Sequence, residues 1–381
     1  MNRLSDLNIS NQNLVIRVDM NVPIEDGVIT DNTRILACMP TIKFAQKSNA
    51  KILLVTHLGR PKEGTFDKKF SLKPVATEVS KILDYEVDFI DDLDSTKIFN
   101  GSSDIQILEN IRFFEGEKSN CNKLGKSLSS LGDIYVFDAF GTSHREQSST
   151  HSAIVNSNLS CAGLLLEKEI DSLTKVLNES QNPYTAIIGG AKVSTKLELI
   201  KNINSKADHI IVGGGIANTF LKAAGHEIGI SLCEELMVGI AKELLNDGKI
   251  ILPDTVVTSK TFEGEDIKEK HISEVKKNEM ILDQFLNDEI DNVISSSNTI
   301  LWNGPLGVFE NKSFKEGTEK LSNAIAKSNA FSIAGGGETL SAINKFINKD
   351  DVSYCSTGGG AFLEFMEGKD LPSIAALKAK I

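Results

Sequence analysis

Arginine is rare in this chain and is confined to its first part. None of the six arginines follows residue 145 in a sequence of 381 residues. They are Arg3, Arg17, Arg34, Arg60, Arg112 and Arg145. A guanidinium group grips phosphate or carboxylate through two parallel hydrogen bonds and stays charged, which lysine does less well. The clustering indicates an anionic ligand on the N-terminal half, and a compositional bias in a lysine-rich chain is the alternative.

The second half offers a different set of groups, namely glycine-rich turns and two lysines. Glycines follow strand-like runs in "TAIIGGAKVSTKLELI", "HIIVGGGIANTFLKAAG", "FSIAGGGETLSAI" and "YCSTGGGAFLEFMEG". Each such junction places free N–H groups at the positive end of a helix, where a phosphate can bind. Lys192 and Lys196 are four residues apart, so they would share one face of a helix beginning near Val193. A solvated helix face explains such a pair, and so does a bound phosphate chain.

An acidic residue, Glu338, follows the glycines of "SIAGGGETLSAI", where a phosphate would be expected. A carboxylate can lie beside phosphates if Mg²⁺ lies between them, because the cation takes oxygens from both. Alternatively, Glu338 only interacts with the dipole of the helix. Both explanations stay open at this point.

The elements that must position these groups are alternating strands and helices. Apolar runs of strand length, among them "NLVIRVDM", "KILLVTHL" and "IYVFDAF", alternate with helical patterns such as "TRILACMPTIKFAQKS". This alternation predicts an α/β fold with parallel sheets covered by helices. Polar residues such as Asp19 and His57 come at the carboxyl ends of the predicted strands, the edge at which open α/β sheets bind ligands. We therefore expect the arginines to converge on one edge.

Length and composition limit the classes of function that the protein can have. A chain of 381 residues suits two domains, and "AGLLLEKEIDSLTKVLNE" predicts a long helix connecting them. The net charge of -11 argues against a nucleic-acid binder, and no apolar run is long enough for a membrane span. Five scattered cysteines with no C-x-x-C pair favour neither a disulfide framework nor a zinc site. These features predict a cytoplasmic protein.

The sequence motifs bear on two other classes of protein, namely a dehydrogenase and a non-catalytic anion-binding or scaffolding protein. The sequence holds no G-x-x-x-x-G-K-[ST] P-loop, and no G-x-G-x-x-G opens the first unit. The missing nicotinamide fingerprint counts against a dehydrogenase on a similar fold. A non-catalytic anion-binding or scaffolding protein would tolerate the loss of Lys192 or Arg34, yet both are present with their motifs.

A series of motifs resembles the phosphoglycerate kinase family along essentially the full length of the chain. In order, they are "RVDMNVP", "DNTRI", "THLGRP", "LENIRFFEGE", "DAFGTSHR", "GGAKVSTK", "GGGIANTF", "LWNGPLGVFE", "GGGET" and "STGGGA". The resemblance implies two doubly wound, Rossmann-like parallel-sheet domains joined by a hinge helix, with an open cleft that closes during catalysis. It implies a phosphoglycerate-binding domain over 1–165, a nucleotide-binding domain over 166–361, and a tail, 362–381, that packs back on the first domain.

The resemblance also implies a reaction. A phosphoryl group passes reversibly from 1,3-bisphosphoglycerate to ADP, giving 3-phosphoglycerate and ATP in glycolysis and gluconeogenesis, with Mg²⁺ carried as MgADP or MgATP. The partners would be these small molecules, with no nucleic acid and no membrane, and the protein would be a cytoplasmic monomer. The carboxylate of 3-phosphoglycerate is already a nucleophile, so catalysis reduces to positioning and charge stabilisation.

The family's functional residues fall on matching positions of this sequence. The implied catalytic groups are Arg34, Lys192, Gly337 and Gly359. Those implied for phosphoglycerate are Arg17, Asp19, Asn21, Arg34, His57, Arg60, Arg112 and Arg145. Those implied for the nucleotide are Gly190, Ala191, Lys192, Lys196, Gly214, Asn303, Pro305, Gly307, Val308, Phe309, Glu310, Gly336, Gly337, Glu338 and Thr339. The implied metal contact is Glu338, where the family usually has aspartate.

Overall fold

The chain folds into two compact units in a computed structural model that describes residues 1–93, 96–285 and 287–380. Unit 1 comprises Met1–Asp171 with Asp370–Ile381, and unit 2 comprises Ser172–Lys369. Of the tail expected over 362–381, only the part from Asp370 onward belongs to unit 1. Residues 362–369 belong to unit 2, since the buried ring of Phe362 packs on Gly335 there.

Unit 1 contains a six-stranded parallel sheet and a two-stranded hairpin. Its strands are β1 (Asn13–Val18), β2 (Ile24–Glu25), β3 (Val28–Ile29), β4 (Lys51–Val55), β5 (Asp88–Ile90), β6 (Ile105–Leu108), β7 (Ile134–Asp138) and β8 (Ser160–Ala162). Its helices are α1 (Thr33–Lys47), α2 (Lys73–Leu83), α3 (Asn122–Ser129), α4 (Ala153–Asn156) and α5 (Leu164–Asn178), the last of which continues into unit 2. The α/β alternation predicted from the sequence is confirmed.

The strand order of the unit 1 sheet is β5-β6-β4-β1-β7-β8. The chain moves from β1 to one side through β4 and then crosses to the other side at β7, so its direction of winding reverses between β1 and β7. Ligands of open α/β sheets bind at such a switch point, beyond the carboxyl ends of the strands. Arg17 is the second-to-last residue of β1 and lies in register with Val55 of β4 and Phe137 of β7.

The core of unit 1 explains why these segments form strands. Every residue of β1 after Asn13 is buried, and so is every residue of β7. Strands covered on both faces need continuous apolar runs, which is how both segments read. Helix α1 buries Ile35, Cys38 and Ile42 at the spacing of one helical face against this sheet.

Unit 2 contains a second six-stranded parallel sheet and a three-stranded antiparallel sheet. Its strands are β9 (Tyr184–Gly189), β10 (His209–Gly213), β11 (Ile250–Ile251), β12 (Thr255–Ser259), β13 (Lys268–His271), β14 (Met280–Gln284), β15 (Thr299–Asn303), β16 (Phe331–Ala334) and β17 (Tyr354–Cys355). Its helices are α6 (Leu197–Asn204), α7 (Gly214–Ala223), α8 (Val238–Leu245), α9 (Asp288–Ser296), α10 (Glu316–Lys327), α11 (Gly337–Phe346) and α12 (Gly360–Met366). The last helix, α13 (Pro372–Lys378), lies in unit 1.

The parallel sheet of unit 2 has the order β11-β10-β9-β15-β16-β17, so its switch point lies between β9 and β15. Glycine turns lead directly from β9, β10, β16 and β17 toward α6, α7, α11 and α12. The antiparallel sheet β13-β12-β14 was not predicted, because its strands are short and one of them, "KEKH", is mainly charged. Among the described residues, no helix is both long and apolar enough to cross a membrane.

Candidate active site

Unit 1 gathers basic side chains at the switch point of its sheet. Arg17 comes from the end of β1, His57 follows β4, and Arg112 follows β6, and all three side chains are buried. Arg34 and Arg145 are partly buried, and Arg60 is exposed. The convergence expected from the strand-end pattern is therefore seen for the buried members of the set.

Arg17 is held by three groups of unit 1. Its Nε donates to Ser149 Oγ at 2.9 Å, one terminal nitrogen donates to the carbonyl of Val18, and the other lies 3.3 Å from His57 Nδ1. Because a guanidinium can only donate, His57 Nδ1 accepts and the imidazole proton lies on Nε2. This neutral tautomer agrees with the direction of the pKa of His57, which burial lowers well below its usual value.

Asp19 links Arg34 to the same cluster. Its Oδ2 accepts from Arg34 at 2.8 Å, and its Oδ1 accepts the backbone N–H of Asn21 at 3.3 Å. Burial alone would raise the pKa of Asp19, but the charges of His57, Arg34 and Arg17 outweigh burial and lower the pKa. Since His57 is neutral, the arginines carry this effect at neutral pH.

Asn21 and Arg112 fix the loop after β4. The side-chain oxygen of Asn21 accepts the N–H of Gly59 at 2.8 Å, and Arg112 donates to the carbonyl of the same glycine. The Nε of Arg112 is buried with no hydrogen-bond partner in the part of the chain that the structure describes. The pKa of Arg112 falls to about 10, first because it is buried and then because Arg145 and Arg17 repel its charge. The cluster thus carries an excess of positive charge, which an anionic ligand would neutralise.

Lys196 spans the switch point of unit 2. Its Nζ donates to the carbonyl of Gly189, the last residue of β9, and to that of Asn303, the last residue of β15, at 2.5 and 3.0 Å. Burial lowers the pKa of Lys196 to about 8, and the nearby charge of Glu338 partly opposes this. The ammonium group therefore lies at the edge where ligands of open sheets bind.

The prediction that Lys192 and Lys196 share a helix beginning near Val193 is wrong. Helix α6 begins only at Leu197, and Lys196 is its N-cap. The preceding residues form a turn because Val193 is fully buried and Ser194 donates from its N–H and its hydroxyl to Glu234. Lys192 is exposed on this turn, so the two lysines do not share one face of a helix.

Glycines of unit 2 permit close approach of backbone at the same edge. Gly190 and Gly336 have φ of +139° and +95°, and Gly214 has φ of +64°. A Cβ on Gly336 would lie 2.9 Å from Nδ2 of Asn303, whose amide donates to the carbonyl of Gly335 at 2.7 Å. Ala191 is exposed beside these turns. The oxygen Oδ1 of Asn303 is buried and has no partner among the described residues.

Helix α11 begins as the sequence predicts, directly after the glycines. Its N-cap, Gly336, makes no side-chain capping bond, so the first N–H groups of the helix are open to a ligand. Gly337 and Glu338 are exposed, whereas Thr339 is buried and its hydroxyl accepts the N–H of Gly304 at 2.8 Å. Gly359 precedes the seven-residue helix α12, which also lacks a side-chain cap.

The loop from Pro305 to Glu310 is held by its own unit. Thr318 accepts the N–H of Gly307 at 3.4 Å, Leu282 accepts that of Val308 at 2.8 Å, and Lys345 donates to the carbonyl of Phe309 at 2.7 Å. These backbone groups are already paired, so they shape the edge instead of offering free donors. Only Glu310 is exposed in this loop.

Glu338 is the one acidic side chain at the start of α11. In the described residues, no group of three or more His, Cys, Asp and Glu is arranged to hold a metal ion. Mg²⁺ in phosphate sites is commonly held by one or two carboxylates together with substrate phosphates and water. A single exposed carboxylate next to an uncapped helix N-terminus fits that arrangement.

The sequence did not point to several residues that support these side chains. Ser149, Glu117 and Glu234 are examples, and each acts through hydrogen bonds to residues far away in the chain. A local signal existed only for Ser149, which lies in the serine-rich run "SSTHS". That run forms a π-helical turn, a rare conformation that is common near functional sites.

Two doubly wound units with charged groups at their switch points define an α/β protein that binds anionic ligands. A family profile for phosphoglycerate kinase matches residues 4–369. A phosphoglycerate kinase of Vibrio campbellii is 46% identical over 381 residues, covering 99% of this chain and 98% of the relative.

Solved structures agree with this match. The phosphoglycerate kinase from Coxiella burnetii has a TM-score of 0.93 at 43% identity and covers 99% of both chains. The enzyme from Pyrococcus horikoshii OT3 has a TM-score of 0.83 at 32% identity, covering 100% of this chain and 99% of its own. The chain belongs to the phosphoglycerate kinase family, so it is a phosphotransferase with a carboxyl group as acceptor. It transfers a phosphoryl group between 1,3-bisphosphoglycerate and ADP.

Proposed function

We propose that unit 1 binds 3-phosphoglycerate and 1,3-bisphosphoglycerate through its basic cluster. The set comprises Arg17, Asp19, Asn21, Arg34, His57, Arg60, Arg112 and Arg145. The observation that carries this assignment is the gathering of the buried Arg17 and Arg112 with Arg145, where burial first and the charges of Arg145 and Arg17 second lower the pKa of Arg112 in the free protein. A phosphate and a carboxylate on one small molecule would neutralise these charges, and His57 would donate from Nε2.

In the same proposal, unit 2 binds ADP and ATP at the edge around Lys196. The uncapped start of α11 supports phosphate binding, because its free N–H groups and the helix dipole favour an anion. The unpartnered oxygen of Asn303 supplies a further acceptor for the nucleotide. Glu310, exposed at the end of its loop, is suited to ribose hydroxyls.

Two side chains would act directly on the transferring phosphoryl group. Arg34 is half-exposed, so its fork can turn from Asp19 toward a ligand of unit 1. Lys192, exposed on the turn before α6, would hold the same group when it belongs to the nucleotide. The N-termini at Gly337 and Gly359 would add fixed positive ends that need no reorganisation during transfer. No general base is required, since the acceptor is a carboxylate.

Mg²⁺ is the metal that fits this site, with Glu338 as its contact on the protein. When bound with the nucleotide, the cation would screen the charges of the phosphates. We further propose that the protein is a cytoplasmic monomer. The five scattered cysteines, with no C-x-x-C pair, support a reducing cytoplasm.

A coupled assay tests the proposal as a whole. We expect ATP to form from ADP and 1,3-bisphosphoglycerate, with turnover that requires Mg²⁺ and is restored when Mg²⁺ is added back after chelation. Substituting Arg112→Gln should raise the KM for 3-phosphoglycerate in the reverse reaction, whereas Lys196→Met should raise that for ATP. Both KM values rising equally in both variants would contradict the assignment of one ligand to each unit.

A further inference from the structure

Glu117 is a buried carboxylate next to the basic cluster, and it lies outside the set of residues proposed to bind ligands. Its side chain is 0% exposed. Oε1 accepts the hydroxyl of Ser149 at 2.6 Å, and Oε2 accepts the backbone N–H of the same serine at 2.9 Å. Both oxygens therefore hold a single residue, which fixes the backbone and the hydroxyl rotor of Ser149 together.

Ser149 connects this carboxylate to Arg17. A hydroxyl has one proton, and Ser149 donates it to Glu117, so its oxygen can only accept from Arg17 Nε at 2.9 Å. The hydroxyl of Tyr135 donates to the carbonyl of Ser149 at 2.7 Å, and the serine lies in the π-helical turn Ser148–Ser152. The direction of every bond from Glu117 to Arg17 is thus fixed by chemistry.

Glu117 and Arg17, at the two ends of this series of hydrogen bonds, carry opposite charges. Burial raises the pKa of Glu117, while the charge of Arg17 and the two bonds from Ser149 oppose that rise. A buried guanidinium is costly unless a negative charge lies nearby, and hydrogen bonds that involve charged groups are stronger than neutral ones. Asp19 already bonds to Arg34, so Glu117 is the carboxylate that serves Arg17 through hydrogen bonds.

We propose that Glu117 is a positioning residue for Arg17, acting through Ser149, and that it sets the affinity of unit 1 for 3-phosphoglycerate. With Nε held by Ser149 and the terminal nitrogens directed at Val18 and His57, the plane of the guanidinium is fixed before the ligand arrives. Preorganisation of this kind lowers the entropy cost of binding. The inference rests on the proposed binding of 3-phosphoglycerate by the basic cluster.

The alternative is that Glu117 only holds the turn after Gln147. It has such contacts, because its backbone carbonyl accepts the N–H of Ser148 at 2.9 Å. Glu109 provides a matched control for this alternative. It is also buried and accepts the hydroxyl of Ser71 at 2.7 Å and the N–H groups of Leu72 and Asn110 at 2.9 and 2.7 Å, but among the described residues no arginine side chain is bonded to it or to that serine.

The test compares Glu117→Gln, Ser149→Ala, the double variant and Glu109→Gln in the intact protein. We expect Glu117→Gln and Ser149→Ala each to raise the KM for 3-phosphoglycerate about 10- to 150-fold, the scale of one charged hydrogen bond. The KM for ATP and kcat should stay within about twofold, since Glu117 acts through Arg17, which belongs only to the set proposed for 3-phosphoglycerate, and Glu109→Gln should change none of these. Because both residues act on one bond, the double variant should be no worse than the poorer single variant.

A spectroscopic signature separates positioning from simple loss of stability. In ligand-free wild-type protein, the Nε–H of Arg17 should give a sharp, slowly exchanging ¹H–¹⁵N signal, assigned by its absence in Arg17→Lys. The signal should broaden in Glu117→Gln and Ser149→Ala but not in Glu109→Gln. If Glu117→Gln does not fold, Ser149→Ala answers the question, because it keeps the buried carboxylate.

Three outcomes would overturn the inference. One is an unchanged Arg17 signal in both variants, and another is a KM for 3-phosphoglycerate that moves no more than in Glu109→Gln. The third is an equal rise in KM for both substrates. A wild-type protein that fails to turn over would overturn the proposed function itself, and it is recognised separately because the Arg17 signal is measured without substrate.

Discussion

Arg34 and Arg17 differ in exposure and in their contacts, although both belong to the basic cluster. Arg17 is 1% exposed and each of its three side-chain nitrogens contacts a protein group, which suits a fixed part of the binding surface. The side chain of Arg34 is 41% exposed and, among the described residues, forms its ion pair with Asp19 at 2.8 Å. A partly exposed fork held in this way can turn toward a group whose charge develops only during transfer.

Replacing Arg34 should therefore affect turnover more than binding. We expect Arg34→Ala to leave the dissociation constants of both substrates within several-fold and to lower kcat by about 10² to 10³, the scale of one lost stabilising donor. Arg34→Lys should recover only part of the loss, because the ammonium keeps the charge without the planar fork. Steady-state kinetics measures kcat and KM for the two variants, and circular dichroism checks that they are folded. A raised KM with unchanged kcat would mean that Arg34 only anchors the ground state.

If Lys196 binds the nucleotide phosphates as proposed, nucleotide binding should depend on pH. In the free protein, burial lowers the pKa of Lys196 to about 8, so the amine is partly neutral at pH 8. Bound phosphates favour the charged form of Lys196 and raise its pKa again. ADP binding should therefore take up protons near pH 8, and the affinity for ADP should fall as the pH rises further. Calorimetry in two buffers of different ionisation enthalpy should show uptake of up to about half a proton at pH 8.

The control for this prediction is an exposed lysine of the next helix. Lys201 lies on α6 and pairs with Glu198 at 3.2 Å, away from the strand ends. Lys201→Met should leave the proton uptake unchanged, whereas Lys196→Met should abolish it and weaken ADP binding. Equal uptake in all three proteins would assign the proton to another group.

At the scale of elements, the role of Glu338 depends on its position at the start of helix α11. The helix begins at Gly337 with no side-chain cap, so the carboxylate could serve either the metal or the helix dipole. Glu338→Gln should weaken MgADP binding clearly more than binding of metal-free ADP if it contacts the metal, because only the former loses a charged ligand. Isothermal titration with and without Mg²⁺ distinguishes the two. Equal losses would favour the dipole role.

Strand ends and glycine turns were predictable from the sequence, whereas the contacts between distant segments were not. The apolar runs of β1 and β7 and the glycines before α11 are local patterns, and each forms the predicted element. The start of α6 was predicted wrongly, because burial of Val193 and the bonds from Ser194 to Glu234 override the helical spacing of the lysines. Partners forty residues away leave no mark on local periodicity.

At the scale of the whole molecule, the chain keeps its arginines in one unit. All six lie in Met1–Asp171, and unit 2 relies on lysines and helix N-termini for its positive charge. In the proposed function, unit 1 binds 3-phosphoglycerate and unit 2 binds the nucleotide. Arginine Nε–H groups are therefore natural reporters for one ligand and not the other.

Arg3 serves as an internal reference for such a measurement. Its guanidinium forms a two-pronged pair with Asp171, at 2.8 and 2.7 Å, and it belongs to no proposed binding set. Its signal should therefore report only general changes in the protein or the solution.

The most direct test is a ¹H–¹⁵N spectrum of the arginine Nε–H groups of the intact protein, titrated with each ligand in turn. We predict that 3-phosphoglycerate shifts the signals of Arg17, Arg34, Arg60, Arg112 and Arg145 and leaves that of Arg3 in place. ADP without the second substrate should leave the Arg17 and Arg112 signals, the most buried of the set, where they were. Arginine signals that ignore 3-phosphoglycerate, or that shift with ADP at the same affinity, would contradict the account.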